Sequence, residues 1–157
     1  YSDQIFFQEG SAESITFPSN FFDKVYSIEA AQHFEDLEKF ANEAVRVLKP
    51  GGKLAVASFF GTSEQSKKSL SKMIQTIQDG IDKATPIYQF EEILERSGFE
   101  NIQILSIGNN VWQGFDQWVS QGELKDSWTR NWYKGFKEGL IDYYIILADK
   151  AHPNSPE

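Results

Sequence analysis

The 157-residue sequence contains no cysteine. That excludes a disulfide framework, a cysteine-ligated zinc site and a thiol nucleophile. It contains two histidines, with neither an HExxH motif nor any paired-histidine spacing, so no metal site is expected. Positive charge is scarce. Lys and Arg number 15 against 23 Asp and Glu, a formal net charge of -8 with no basic cluster, which argues against a nucleic-acid partner. No apolar run approaches the roughly 18 residues needed to span a bilayer, and no signal peptide opens the chain, so a cytoplasmic protein without a membrane partner is expected. Internal repeats, low-complexity tracts and domain linkers are also lacking. What remains is the composition of one globular domain, 40% hydrophobic and 24% charged, in a chain long enough to bury roughly 70% of its unfolded surface. Tyr1 is not a methionine and lies just before strand-like sequence, so it reads as a cut point rather than a start.

Hydrophobic periodicity orders the elements. Residues 5–9, opening with Ile5, Phe6 and Phe7, read as a short strand that Gly10 ends, and residues 24–28 read as a second. From 36 to 48, Leu37, Phe40, Ala41, Ala44, Val45 and Leu48 recur at helical spacing; Asp36 and Glu38 suit the helix start, and Lys49-Pro50-Gly51-Gly52 stops it. Residues 54–59 are nearly continuous in apolar character, as buried parallel strands are. Residues 64–83 place Leu70, Met73, Ile74, Ile77 and Ile81 on one face of a second helix. Residues 87–97 form a third, with Gly98 just past its end. Ile102, Ile104 and Ile107 mark a fourth strand and residues 143–148 a fifth. Between them, residues 108–140 hold all four tryptophans, and the tail 152–157, with Pro153 and Pro156, is expected to fray. Alternation of strand and helix predicts an α/β sheet with helices on both faces.

Two stretches are more specific than this pattern requires. One is Gly10-Ser11-Ala12-Glu13, followed by Phe17-Pro18 and then Phe22-Asp23. The other runs from Ser27-Ile28-Glu29-Ala30-Ala31-Gln32-His33-Phe34 through the helix to Arg46-Val47-Leu48-Lys49-Pro50-Gly51-Gly52. Together, in this order and spacing, they resemble the class I S-adenosylmethionine-dependent methyltransferases, in particular the small-molecule branch. Members read G-D-A-E, then L-P-F, then S-F-D, and later R-V-L-K-P-G-G. The resemblance covers essentially the whole chain. It implies a Rossmann-like sheet, here partial: the family's strands three to seven, the last antiparallel, with a helical aromatic-rich insertion. It implies S-adenosylmethionine as cofactor, S-adenosylhomocysteine as product and a small-molecule methyl acceptor.

The site residues follow from that resemblance, position by position. In the family, an Asp in the loop after the third strand bonds the adenine amine while the next backbone N–H meets a ring nitrogen. Ser11 occupies the Asp position here and Ala12 supplies the N–H; Gly10 and Glu13 complete the loop. A hydroxyl accepts that bond without the charge, which implies weaker adenine recognition; the alternative is a surface loop with no ligand role. Ser27, Ile28 and Glu29 fall at the carboxyl end of the fourth strand, where open α/β sheets bind ligands, and would pack against the methionyl end. Related sugar and natural-product O-methyltransferases carry two adjacent His at the following turn and an Asp at the end of the next strand. Gln32 and Ser58 hold two of those positions here, leaving His33 as the candidate base for an acceptor hydroxyl. The competing role for His33 is to cap or pack the helix that follows, and Glu29 reads as a structural or cofactor-loop residue rather than a base.

Trp112, Phe115 and Trp118 lie at i, i+3, i+6, and Trp128, Trp132 and Phe136 at i, i+4, i+8. They fit either a hairpin burying aromatics over the sheet or a lid whose wall (Trp112, Trp118, Trp128, Trp132) shapes an acceptor pocket, and the two are compatible. The family's Gly-rich turn after strand one, and the acid about 20 residues beyond it, have no counterpart, since none of the 11 glycines forms a G-x-G. In the family's order three-two-one-four-five-seven-six, strands one and two would therefore be absent. The edge from Val25 to Ile28 would then lie exposed and recruit a second copy or the segment at Ile5 to Phe7. The chain is expected to be the carboxyl-terminal part of a methyltransferase, inactive by itself; the rival expectation is a non-catalytic dimerisation or interaction module.

Overall fold

The computed structural model describes residues 5–152; the expectations for Tyr1 and for the tail beyond His152 lie outside these residues. Four strands form one sheet: β1 (Phe22–Ile28), β2 (Leu48–Gly61), β3 (Phe99–Ser106) and β4 (Ile141–Lys150), in the order β1-β2-β4-β3. β1 and β2 are parallel, and β4 runs antiparallel to both of its neighbours. This is the order implied for strands four, five, seven and six.

The helix α1 (Leu37–Val47) connects the parallel pair. Asp36 caps it, its carboxylate accepting from the N–H groups of Glu38 at 3.1 Å and Lys39 at 3.0 Å. Leu37, Phe40, Ala41, Ala44 and Val47 form the buried stripe. At the far end Pro50 forbids further helix, and Gly51 takes the left-handed φ of +72° that a side chain would resist. The ladder steps from Phe22↔Leu48 to Lys24↔Lys53, so residues 49–52 loop out of the pairing.

Side chains alternate across β2 and build two cores. Leu54, Val56 and Phe60 join Phe40, Ala44, Ile146 and the helix α4 (Ile87–Arg96), whose Phe90 stacks on Phe60 at 5.1 Å. Burial of each such ring contributes about 1.5–3 kcal/mol. On the opposite face Phe59 joins Tyr143 and the aromatics of α5 (Gly108–Ser120) and α6 (Asn131–Lys137). That second face is covered only in part, leaving Tyr26, Ile28, Leu105 and Leu147 exposed beside a groove of about 420 Å³.

Two expected elements differ. Residues 5–9 form no strand, and Phe6 and Phe7 are almost fully exposed, because no strand among the described residues lies beside them to complete a ladder. The segment at Ile5 to Phe7 therefore does not cover the β1 edge. The helix expected over 64–83 is two short ones, α2 (Glu64–Leu70) and α3 (Gln75–Gln78). Ile74 between them is extended, and the Asn131 side-chain amide donates to the Met73 carbonyl at 2.6 Å, a tertiary bond replacing a helical one. Leu70, Ile74 and Ile77 still face the second core, but Ile81 is exposed. Among the described residues no helix is long and apolar enough to cross a membrane, and no group of three potential metal ligands occurs.

Candidate functional site

The parallel strands β1 and β2 end at the same edge of the sheet, and the chain turns tightly there. Glu29, the residue after β1, has a left-handed φ of +52°, a conformation costing a non-glycine residue about 1–2 kcal/mol. Its N–H donates to the Ala57 carbonyl at 2.9 Å, which ties the turn to β2. A 3-10 turn (Ala31–His33) follows and buries Gln32.

The polar groups at this edge form one chain of hydrogen bonds, running from the buried Ser58 and Gln32 to the exposed Glu29 carboxylate. Ser58, fully buried, donates to Gln32 Oε1 at 2.5 Å; Gln32 Nε2 faces Glu29 Oε2 at 3.4 Å; and the Tyr143 hydroxyl donates to Glu29 Oε1. Burial, and then the bond to Glu29, hold the Tyr143 phenol well above the ordinary tyrosine range. Beside this chain His33 Nδ1 lies 3.2 Å from Oδ1 of the buried Asp82, and 3.3 Å from the Ile81 carbonyl. With Nδ1–H donated to Asp82, Nε2 is the nitrogen free to accept a proton.

Opposite the polar row stands an aromatic wall. Trp112 stacks on Trp132 at 5.8 Å, Phe59 packs on Trp132 at 4.7 Å, and Phe115 meets Trp112 edge-on. Between wall and row lies a cleft of about 320 Å³ bounded by Glu29, Gln32, His33, Asp82, the four rings and Tyr143. No lysine or arginine lines it. Among the described residues the Trp112 indole N–H has no hydrogen-bond partner although it is buried, and neither has Ser27 Oγ near the end of β1. Such a cleft can hold an apolar or positively charged molecule against a fixed carboxylate, and can take a proton at His33.

Of the residues singled out in the sequence, Glu29, Gln32, His33, Trp112 and Trp132 meet in this cleft, with Ser58 one hydrogen bond behind it. The others lie elsewhere. Ile28 points onto the open sheet face. Gly10, Ser11 and Ala12 line a separate depression of about 210 Å³, with Ser11 Oγ accepting from the Glu13 N–H at 3.1 Å and Ala12 packed on the first core. The Glu13 carboxylate accepts from the N–H groups of Glu35 at 2.8 Å and Asp36 at 3.2 Å, anchoring the entrance to α1. Trp118 and Trp128 do not line the cleft. Six residues of helix turn Trp118 about 120° away from Trp112, leaving it 70% exposed, and Trp128 belongs to a 3-10 turn (Trp128–Arg130) ahead of α6, outside the i, i+4 register. Sequence reasoning missed Tyr143, read only as the first residue of the fifth strand, and Asp82, read as part of a helix; neither carries a local signal, because their partners are distant in the chain.

Architecture and comparison agree. The fold is the Rossmann-like methyltransferase sheet: geranyl diphosphate C-methyltransferase from Streptomyces coelicolor A3(2), in complex with Mg2+, geranyl diphosphate and S-adenosyl-L-homocysteine, superimposes with a TM-score of 0.79 at 14% identity, covering 92% of this chain and 53% of that one. In sequence, residues 1–56 match the family described as Methyltransferase domain. Erythromycin 3''-O-methyltransferase of Saccharopolyspora erythraea is 29% identical over 150 residues, 88% of this chain and 49% of the relative. A sterol 24-C-methyltransferase of Neurospora crassa is 32% identical over 152 residues, 93% of this chain and 37% of the relative. The chain thus spans half or less of the length of these relatives. Sequence match and fold together support a class I methyltransferase, the family that residues 10–52 resemble.

Proposed function

We propose that this chain is the carboxyl-terminal part of a methyltransferase domain that moves a methyl group from S-adenosylmethionine to an oxygen, nitrogen or carbon atom of a small molecule. The observation that carries this reading is the cleft at the carboxyl ends of β1 and β2, closed by an aromatic hairpin and furnished with a His33–Asp82 pair. The sulfonium supplies the activated methyl; the protein's part is to hold the acceptor in line with it and to keep water out. The end of β1 at Ser27 to Glu29 lies on the methionyl side of such a cofactor, and Ser11 and Ala12 supply the adenine-side loop. His33 Nε2 takes the proton of a hydroxyl or ammonium acceptor, and Asp82 keeps the ring in the required tautomer. S-adenosylhomocysteine is the product.

With no G-x-G among its 11 glycines, the sequence supplies only one side of the cofactor's seat, so by itself it binds the cofactor weakly and does not turn over. Calorimetric titration with S-adenosylmethionine tests this, with dissociation expected on the order of 0.1 mM or weaker; micromolar binding overturns the incompleteness. An in-frame Gly-rich strand, turn and helix upstream in the coding sequence is expected, and its absence together with absent binding overturns the methyltransferase reading. A second reading, a dimerisation module, is favoured by one observation: among the described residues β1 pairs only with β2, and it presents Tyr26 and Ile28 to solvent.

A further inference from the structure

The cleft is unusual in the sign of what surrounds it. Five rings line it, from Phe59, Trp112, Phe115, Trp132 and Tyr143, together with the Glu29 and Asp82 carboxylates and not one lysine or arginine. Asp82 has His33 as its partner, whereas both bonds to Glu29 come from neutral donors, Tyr143 and Gln32. A carboxylate held by neutral donors beside the faces of electron-rich rings attracts a cation twice over, by Coulomb force and by ring quadrupoles. The formal charge of -8 on the whole chain adds a long-range pull of the same sign.

We infer that the cleft is a cation-binding box, and that the small molecule it takes on the acceptor side carries an alkylammonium group. This deepens the methyltransferase reading only in the word acceptor, since the binding itself is measurable without a methyl donor. A tetrahedral ammonium fills the aromatic box and approaches Glu29, and a neutral molecule of the same shape would leave that carboxylate unpaired.

The test is an NMR titration of the ¹⁵N-labelled chain with choline and, separately, with 3,3-dimethylbutan-1-ol, its uncharged carbon isostere. Choline is expected to shift the indole signals of Trp112 and Trp132 but not those of Trp118 and Trp128, and to bind at least about tenfold more tightly than the isostere. In Glu29→Gln that preference is expected to fall to about threefold or less. Phe115→Leu, at a half-buried position on the rim, should weaken choline while leaving the fold intact and serves if Glu29→Gln does not fold. No indole shift, equal binding of the isostere, or a full preference retained in either variant overturns the inference. The donor's own sulfonium is the other source of positive charge. Choline still shifting both indoles in millimolar S-adenosylhomocysteine is expected, and its displacement overturns the assignment to the acceptor. If choline is preferred while S-adenosylmethionine never binds and no Gly-rich strand, turn and helix precede this sequence in frame, the cation box stands and the methyltransferase reading falls.

Discussion

Tyr143 fixes the Glu29 carboxylate through its hydroxyl, and burial with that bond raises its phenol far above the ordinary range. In the unfolded chain a tyrosine ionises near pH 10. Above that pH the folded protein retains a proton that the unfolded chain has lost, so the contribution is complete below about pH 10 and declines as pH rises further. Tyr143→Phe is expected to lower stability at neutral pH by about 1 kcal/mol and to flatten the alkaline limb of the melting temperature against pH. Some slope should remain from Tyr144, whose phenol is raised by burial and by Asp142. An unchanged alkaline limb in the variant would show that Tyr143 ionises normally. Glu29, Gln32 and His33 were legible because they stand inside a motif at the end of a strand. Tyr143 and Asp82 were not, because only folding brings them to that turn.

At the scale of elements, the loop before β1 depends on α1. The Arg46 guanidinium donates to the carbonyls of Phe17 at 2.8 Å and Ile15 at 2.7 Å and also binds Glu43, which in turn accepts from the Ile15 N–H at 2.7 Å. These bonds give a physical role to the arginine of the Arg-Val-Leu-Lys-Pro-Gly-Gly run: it staples the loop to the helix. The hydrogen bond from Arg46 holds the Glu43 carboxyl below its ordinary value. Its contribution is therefore present above the unfolded value of 4.5 and lost as pH falls through the folded one. Glu43→Gln should lower the neutral melting temperature by about 2–4 °C and flatten the acid limb, as scanning calorimetry across the acid range would show. The helix α1 was readable because its stripe, cap and stop signals agree. The segment 64–83 was not, since its apolar residues keep a helical spacing while Asn131, far along the chain, captures the carbonyl at the break.

Among the described residues the β1 edge of the sheet and part of one face are open, with Tyr26 74% and Ile28 63% exposed. Apolar strands at an open edge recruit partners. Light scattering is expected to find a dimer of this chain, with hydrogen exchange showing protected amides at Tyr26 and Ile28, which alternate with those facing β2. Ile28→Lys should weaken the dimer about tenfold, the effect of losing an apolar anchor. A monomer with those amides unprotected would rule this out.

Order along the chain was enough to read the α/β class, the parallel pair around α1 and the resemblance to a methyltransferase, because helix stripes, caps and the Lys-Pro-Gly-Gly stop act within a few residues of one another. Whether residues 5–9 form a strand depended on a neighbour to pair with, and the described residues offer them none. Which tryptophans face the cleft depended on where α5 and α6 begin and how they turn. The charge around the cleft, two carboxylates and a ring of aromatics with no cation, exists only once the ends of β1, β2 and β4 are brought together. Those decisions are tertiary because each needs a partner that the local sequence does not supply.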